Sequence, residues 1–182
     1  MTIALMRHGQ TDWNLAGRVQ GHTNIPLNET GREQAAQAAH LLLEGDQWHV
    51  ITSSPLDRAR ETAQIIADHL DMPLADPHEG LIEQRYGIAE GLSVKELNER
   101  WPNRDIEGGE APSDLASRAL TTLDSLYEQH EGSRVLAVTH GAYIRRLVSL
   151  ILERNYQDVP GIKNASLTMF EREGEFWNIT MI

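Results

Sequence analysis

The sequence predicts a three-layer α/β/α domain with a mainly parallel central sheet, an antiparallel edge and a small cap segment. Three observations lead there. Apolar runs of strand length recur at residues 3–6, 50–53 and 135–139, with amphipathic stretches of helix length between them. That alternation favours a parallel sheet covered on both faces. Hydrophobic residues make up 40% of 182, enough for one full core. The first and last of these runs end in a His-Gly pair, and open α/β sheets bind ligands beyond the carboxyl ends of their strands.

Each element has its own signal. The first strand gives out at Arg7-His8-Gly9, and Gln10 to Asn14 read as a polar loop. Residues 30–43 carry Ala35, Ala38, Ala39, Leu42 and Leu43 at helical spacing, with Gly45 as a stop. After the strand at 50–53, residues 56–70 place Ala59, Ala63, Ile66, Ala67 and Leu70 on one face, and Asp71-Met72-Pro73 ends that helix. Residues 76–112 are irregular and read as a cap insertion with one short helix near 94–101. Leu115, Ala119, Leu123 and Leu126 stay in phase along 114–130, and 142–152 is a largely apolar helix. Two strands near 167–171 and 176–180 flank Arg172-Glu173-Gly174-Glu175, a hairpin turn at the edge of the sheet. With no repeat or linker, one domain is expected over residues 1–182.

Composition narrows the function classes. No apolar run approaches the length of a membrane span. The first residues lack the pattern of a signal peptide. No cysteine is present, so disulfides, thiolate metal sites and cysteine nucleophiles are excluded. The expected location is the cytoplasm. The net charge is −11 and no basic face is concentrated, which argues against nucleic-acid or membrane-surface partners. No pair of His or carboxylate residues has zinc-protease spacing, so neither a metal nor another cofactor is expected. An anion site on so acidic a chain has to be a local cluster of cations in a cleft.

Candidates for that cluster sit where strands end. Arg7 stands beside His8, and His140 ends the strand at 135–139. Either histidine alone is commonly a satisfied structural residue; two brought to one crevice beside an arginine point to a phosphate. Gln20-Gly21 permits close backbone approach, because glycine has no Cβ. Ser53-Ser54-Pro55 closes a strand and opens a helix, whose N-terminus favours anions. Arg58 in that first turn opposes the helix dipole, a small cost that points to a ligand, whereas Arg60 reads as a solvated charge. Glu83 in the cap segment qualifies as a proton donor if burial keeps it protonated. The other six histidines, His22 and His78 among them, read as peripheral.

Six segments in order, RHGQTDWN, RVQG with PL and G after it, SSPLDRARETA, LIEQRYGIAEG, GGE and VTHGAYIR, resemble the histidine phosphatase superfamily, also called phosphoglycerate-mutase-like, over about residues 3–146. The resemblance implies a phosphohistidine formed on His8. It implies that Arg7, Arg58 and His140 hold the phosphoryl oxygens and that Glu83 protonates the leaving alkoxide, then activates water. Thr11, Asn14, Gln20 and Gly21 would complete the phosphate pocket, with Gly141 and Tyr86 beside it. Asn24 stands where the family usually has an acidic residue before Pro-Leu, and Ala111 where many relatives have serine.

The family contains phosphatases and cofactor-dependent mutases. The short segment from Ser93 to Pro112 holds Lys95, Arg100 and Arg104 against Glu96, Glu99, Asp105, Glu107 and Glu110. That composition reads as poor at binding a second phosphate and favours a phosphatase acting on a small phosphorylated metabolite, as monomer or homodimer. Tyr86 and Lys95 keep a phosphoglycerate mutase as the alternative, Lys95 as a partner for a substrate carboxylate. A non-catalytic phosphate-binding protein on the same fold is the second alternative. The acidic cap, with Trp101 and Tyr86, hints at a small polar or partly aromatic leaving group.

Overall fold

The computed structural model describes residues 1–45 and 47–181, so the expectation of one domain over 1–182 includes Asp46 and Ile182, which lie outside the described residues. Strand β1 (Thr2–Arg7) lies parallel to β3 (Arg134–Thr139), and β3 parallel to β2 (Val50–Ser53). On its other side β1 pairs antiparallel with β4 (Leu167–Glu173), which pairs antiparallel with β5 (Phe176–Met181). The strand order is β2-β3-β1-β4-β5: a mixed sheet, parallel at its core and antiparallel at one edge.

Alternation along the strands builds two cores. Ile3, Leu5, Val135 and Ala137 face α5 (Pro112–Gln129) and α6 (Gly141–Ile151), where they meet Leu115, Leu123 and Leu147. Ala4, Met6, Leu136 and Val138 face α2 (Glu29–Leu43) and α3 (Asp57–His69), where they meet Ala39, Ala63 and Ile66. Each buried Leu or Ile is worth roughly 2 kcal/mol relative to exposure. The observed elements match those expected to within about two residues. Helix α5 begins earlier than its apolar rhythm indicates, because Pro112 takes its first turn, where a missing N–H costs nothing. Among the described residues no helix is long and apolar enough to cross a membrane.

Two segments leave this frame. Gln10 to Asn14 is not a plain loop. Thr11 caps the one-turn helix α1 (Asp12–Leu15), its hydroxyl accepting from Asn14 N while Asn14 Oδ1 accepts from Thr11 N. The expectation failed because one turn is too short to show a period. The stretch between α3 and α5 holds two 3-10 turns and α4 (Val94–Arg100), packed around a small cluster of Val19, Ala89, Leu97 and Ile106. Trp101 packs against that cluster.

Candidate active site

Because β1 and β3 are parallel and in register, with Arg7 opposite Thr139, their carboxyl ends deliver His8 and His140 side by side. The imidazoles meet edge to face with centroids 5.2 Å apart. Here β1 has a parallel neighbour on one side and an antiparallel neighbour on the other. A cavity of about 600 Å³ opens in front of it, a volume suited to a metabolite.

The hydrogen bonds fix the state of His8. Its Nδ1 lies 2.7 Å from the Gly9 carbonyl oxygen, which only accepts, so Nδ1 carries the proton. Arg58 Nε donates to Nε2 at 3.2 Å, so Nε2 is unprotonated and its lone pair accepts that bond. Burial, then the charges of Arg58 and Arg7, hold the imidazole well below its ordinary 6.5. His140 is likewise held down by burial first and by Arg58 next. Its Nε2 meets Ser54 Oγ at 2.8 Å, while Nδ1 is buried without a partner.

Arg58 is 1% exposed. Its other donors hold backbone: Nη1 bonds Thr23 O at 3.0 Å and Nη2 bonds Gly21 O at 2.8 Å. Burial pushes this guanidinium down to about 10, so it remains charged at neutral pH. Asn24, the departure from the family's acidic residue, accepts from Asp57 N and so caps α3 just before Arg58. Arg7 Nη1 donates to Ile162 O at 2.6 Å, and its buried Nε has no partner. A Cβ on Gly141 would sit 3.1 Å from that Nε, so glycine lets Arg7 lie against the start of α6.

Glu83 caps α6. Its Oε1 accepts from Tyr143 N at 3.0 Å and Gln84 N at 2.9 Å, and Oε2 from Ala142 N at 3.2 Å. These donors, the helix dipole and the Arg58 charge favour the carboxylate, yet burial outweighs them and raises the carboxyl above its ordinary 4.5. Arg118 fixes the backbone on either side. It donates to Gly80 O and Ile82 O at 2.8 Å each, and forks onto both oxygens of Glu110 at 2.9 Å.

Most of the expected site residues stand together. Arg7, His8, Asn14, Gln20, Gly21, Arg58, Glu83, Tyr86 and Gly141 line the cavity. Thr11 and His140 do not. Thr11 lies behind the wall and donates to Gln20 Oε1, and His140 is wholly buried against His8. Gly21, with φ of +54°, offers its carbonyl to Arg58 and is crowded on its open side by Glu90.

Three expectations are corrected. His22 is not peripheral: its Nε2 donates to Glu83 O at 2.9 Å. Lys95 is 84% exposed, 3.9 Å from Glu99 and outside the cavity wall, as is Trp101. Between residues 93 and 112 the cap turns no acid inward: that stretch contributes Val94, Leu97, Asn98, Pro102 and Arg104 to the wall. Helix α4 directs its charges to solvent, so segment composition misjudged the charge the cavity holds. Sequence reasoning missed Arg118 and Asn164. Asn164 bonds both His8 O and Asn14 Oδ1, across roughly 150 residues of chain, and no local pattern signals it. Among the described residues no three His, Asp or Glu side chains gather as metal ligands.

Comparison with known proteins follows the same lines. A family model described as the histidine phosphatase superfamily (branch 1) matches residues 3–182. The chain is 35% identical to a Bacillus subtilis strain 168 protein named uncharacterized phosphatase PhoE, over 97% of this chain and 91% of that protein. It is 33% identical to a probable phosphoglycerate mutase GpmB of Serratia proteamaculans, over 97% of this chain and 87% of that protein. Its structure resembles an Entamoeba histolytica phosphoserine phosphatase in complex with 3-phosphoglyceric acid. That likeness has a TM-score of 0.87 and 30% identity, covering 98% of this chain and 94% of the other.

Proposed function

The chain belongs to the histidine phosphatase superfamily, and from that premise we propose that it is a metal-independent phosphomonoesterase acting through a phosphohistidine on a small phosphorylated metabolite. One observation carries the reading. His8 Nε2 is an unprotonated lone pair held by Arg58 in a buried site with a second arginine beside it. An imidazole needs that state to attack phosphorus.

The chemistry follows in two displacements. His8 Nε2 forms a bond to phosphorus as the bond to the leaving alcohol oxygen breaks, and Glu83 gives its proton to that oxygen. Water then attacks the phosphohistidine, Glu83 takes the water's proton, and the electron pair of the broken P–N bond returns to Nε2. The raised proton affinity of Glu83 suits it to both roles. Charge on the transferring phosphoryl group is met by Arg7 and Arg58, whose guanidiniums fork onto phosphate oxygens. His140, wholly buried, backs the His8 ring from behind the wall, its own Nε2 set by Ser54 Oγ. Both lone pairs of Asn14 Oδ1 are engaged, which turns the amide N–H groups toward ligand.

The decisive experiment is phosphate release from aryl and alkyl phosphomonoesters by the parent chain and His8→Ala, with acid-quench trapping of the phosphoenzyme. Loss of both signals in the variant is expected. Parental turnover by His8→Ala overturns the mechanism. A mutase reading is favoured by the basic lining of the cavity. Phosphorus NMR with 3-phosphoglycerate separates the two: a 2-phosphoglycerate signal that requires 2,3-bisphosphoglycerate makes the enzyme a mutase, and inorganic phosphate alone makes it a phosphatase.

A further inference from the structure

Acidic side chains outnumber basic ones 27 to 16 in this chain, yet the cavity wall holds five arginines against one carboxylate, Glu83. Arg7 and Arg58, beside His8, are accounted for by the transferred phosphoryl group. Arg18, Arg104 and Arg145 are not. They come from the segment after α1, the cap and α6, and they stand in the more solvent-accessible part of the same cavity.

None of the three forms an ion pair among the described residues. Arg18 Nη1 donates to Gly91 O, Arg104 to Trp101 O and Asn98 Oδ1, and Arg145 to Val159 O and Gln157 O. Glu96 feels the charge of Arg18, but its oxygens are committed to Ser93 and Arg100. These bonds orient the guanidiniums without neutralising them. Arg104 holds its place from a left-handed backbone, φ of +63°, a conformation uncommon outside glycine. Arg145 lies over the Tyr156 ring at 4.1 Å and Arg146 lies 4.0 Å from the same ring. Gathering cations without a counter-ion is unfavourable, and a bound anion reverses that cost.

We infer that Arg18, Arg104 and Arg145 form an anion subsite that reads a second negative group, a carboxylate or a further phosphate, on the leaving alcohol of the substrate. The inference rests on the phosphomonoesterase reading and narrows its substrate class. A metabolite whose phosphoryl group sits on His8 places its other end among these three side chains, and the arginines select for charge there. Neutral alcohols leave the three guanidiniums without an ionic partner and forgo charge-assisted hydrogen bonds.

Matched pairs of esters test this. 3-Phosphoglycerate and glycerol 3-phosphate differ by a carboxylate, as do phosphoserine and phosphoethanolamine; fructose 1,6-bisphosphate and fructose 6-phosphate differ by a phosphate. The anionic member of at least one pair is expected to have kcat/KM about ten- to a hundredfold higher, and which pair responds identifies the group. Arg104→Gln and Arg145→Gln should each shrink that ratio by about tenfold, and raising salt should shrink it further. Ratios near one in every pair, with release that depends on His8, overturn the subsite and leave the phosphatase standing. If no ester is hydrolysed in a His8-dependent way, the phosphatase reading fails. Calorimetric binding to His8→Ala then judges the subsite alone: 3-phosphoglycerate must bind more tightly than glycerol 3-phosphate, and equal affinity overturns it.

Discussion

The floor of the cavity and its outer wall are both built from arginines, and they are held in opposite ways. On the floor, Arg58 is almost wholly buried and engages two carbonyls and His8, while Arg7 bonds a third carbonyl. Both lie at strand or helix ends of the rigid frame. On the wall, Arg18 is exposed, Arg104 and Arg145 are half-buried, and the segments carrying Arg18 and Arg104 are irregular. Buried, backbone-braced cations give fixed geometry, which phosphoryl transfer requires. Partly exposed cations give attraction with adjustable geometry, which selection among leaving groups requires. On the proposed reading one residue type serves two ends, and burial separates them.

The sharpest way to break the comparison is Arg58→Lys. It keeps the charge and loses the fork onto Thr23, Gly21 and His8. If floor geometry is the point, kcat falls about 10²–10³-fold; a change within twofold refutes it. Glu83→Gln comes next. The proposed mechanism requires His8 neutral, held below 6.5, and Glu83 protonated, raised above 4.5. The pH profile of kcat/KM should therefore have its acid limb below 6.5 and its alkaline limb above 4.5. Glu83→Gln should lower the plateau about 10²-fold and abolish the alkaline limb. An alkaline limb that survives assigns the proton to another group.

Stability carries a smaller signature of the same burial. His8 and His140 have depressed proton affinities when folded, so below about 6.5 the unfolded chain binds more protons. Folding stability should fall as pH drops from 6.5, by up to about 1.4 kcal/mol per pH unit for each histidine. Denaturant melts of His8→Ala should show a shallower slope, and an unchanged slope assigns the loss to other groups. The smallest effect is expected at Lys95, the cap cation the sequence brought forward. It is exposed and outside the cavity. Lys95→Ala should keep kcat/KM for every ester within about twofold, since exposed charges of this kind contribute little. A larger loss restores Lys95 as a substrate contact.

What the sequence determined by itself is nearly the whole frame and most of the residues on its floor. Strand and helix periods are local, and Arg7, His8, Arg58, Glu83 and His140 stand in or beside motifs that read along a few residues. Only the tertiary structure decided which charges share a space. Arg118 braces the Glu83 loop from α5, Asn164 ties His8 to Asn14, and His22 reaches Glu83 O. Residues 93–112 of the cap read as acidic along the chain, but the face they turn inward carries Arg104 and no acid. A sequence reports the sum of a segment's charge. The field at a ligand depends on which side chains face it and how deeply they are buried, and those are set by packing between residues far apart in the chain.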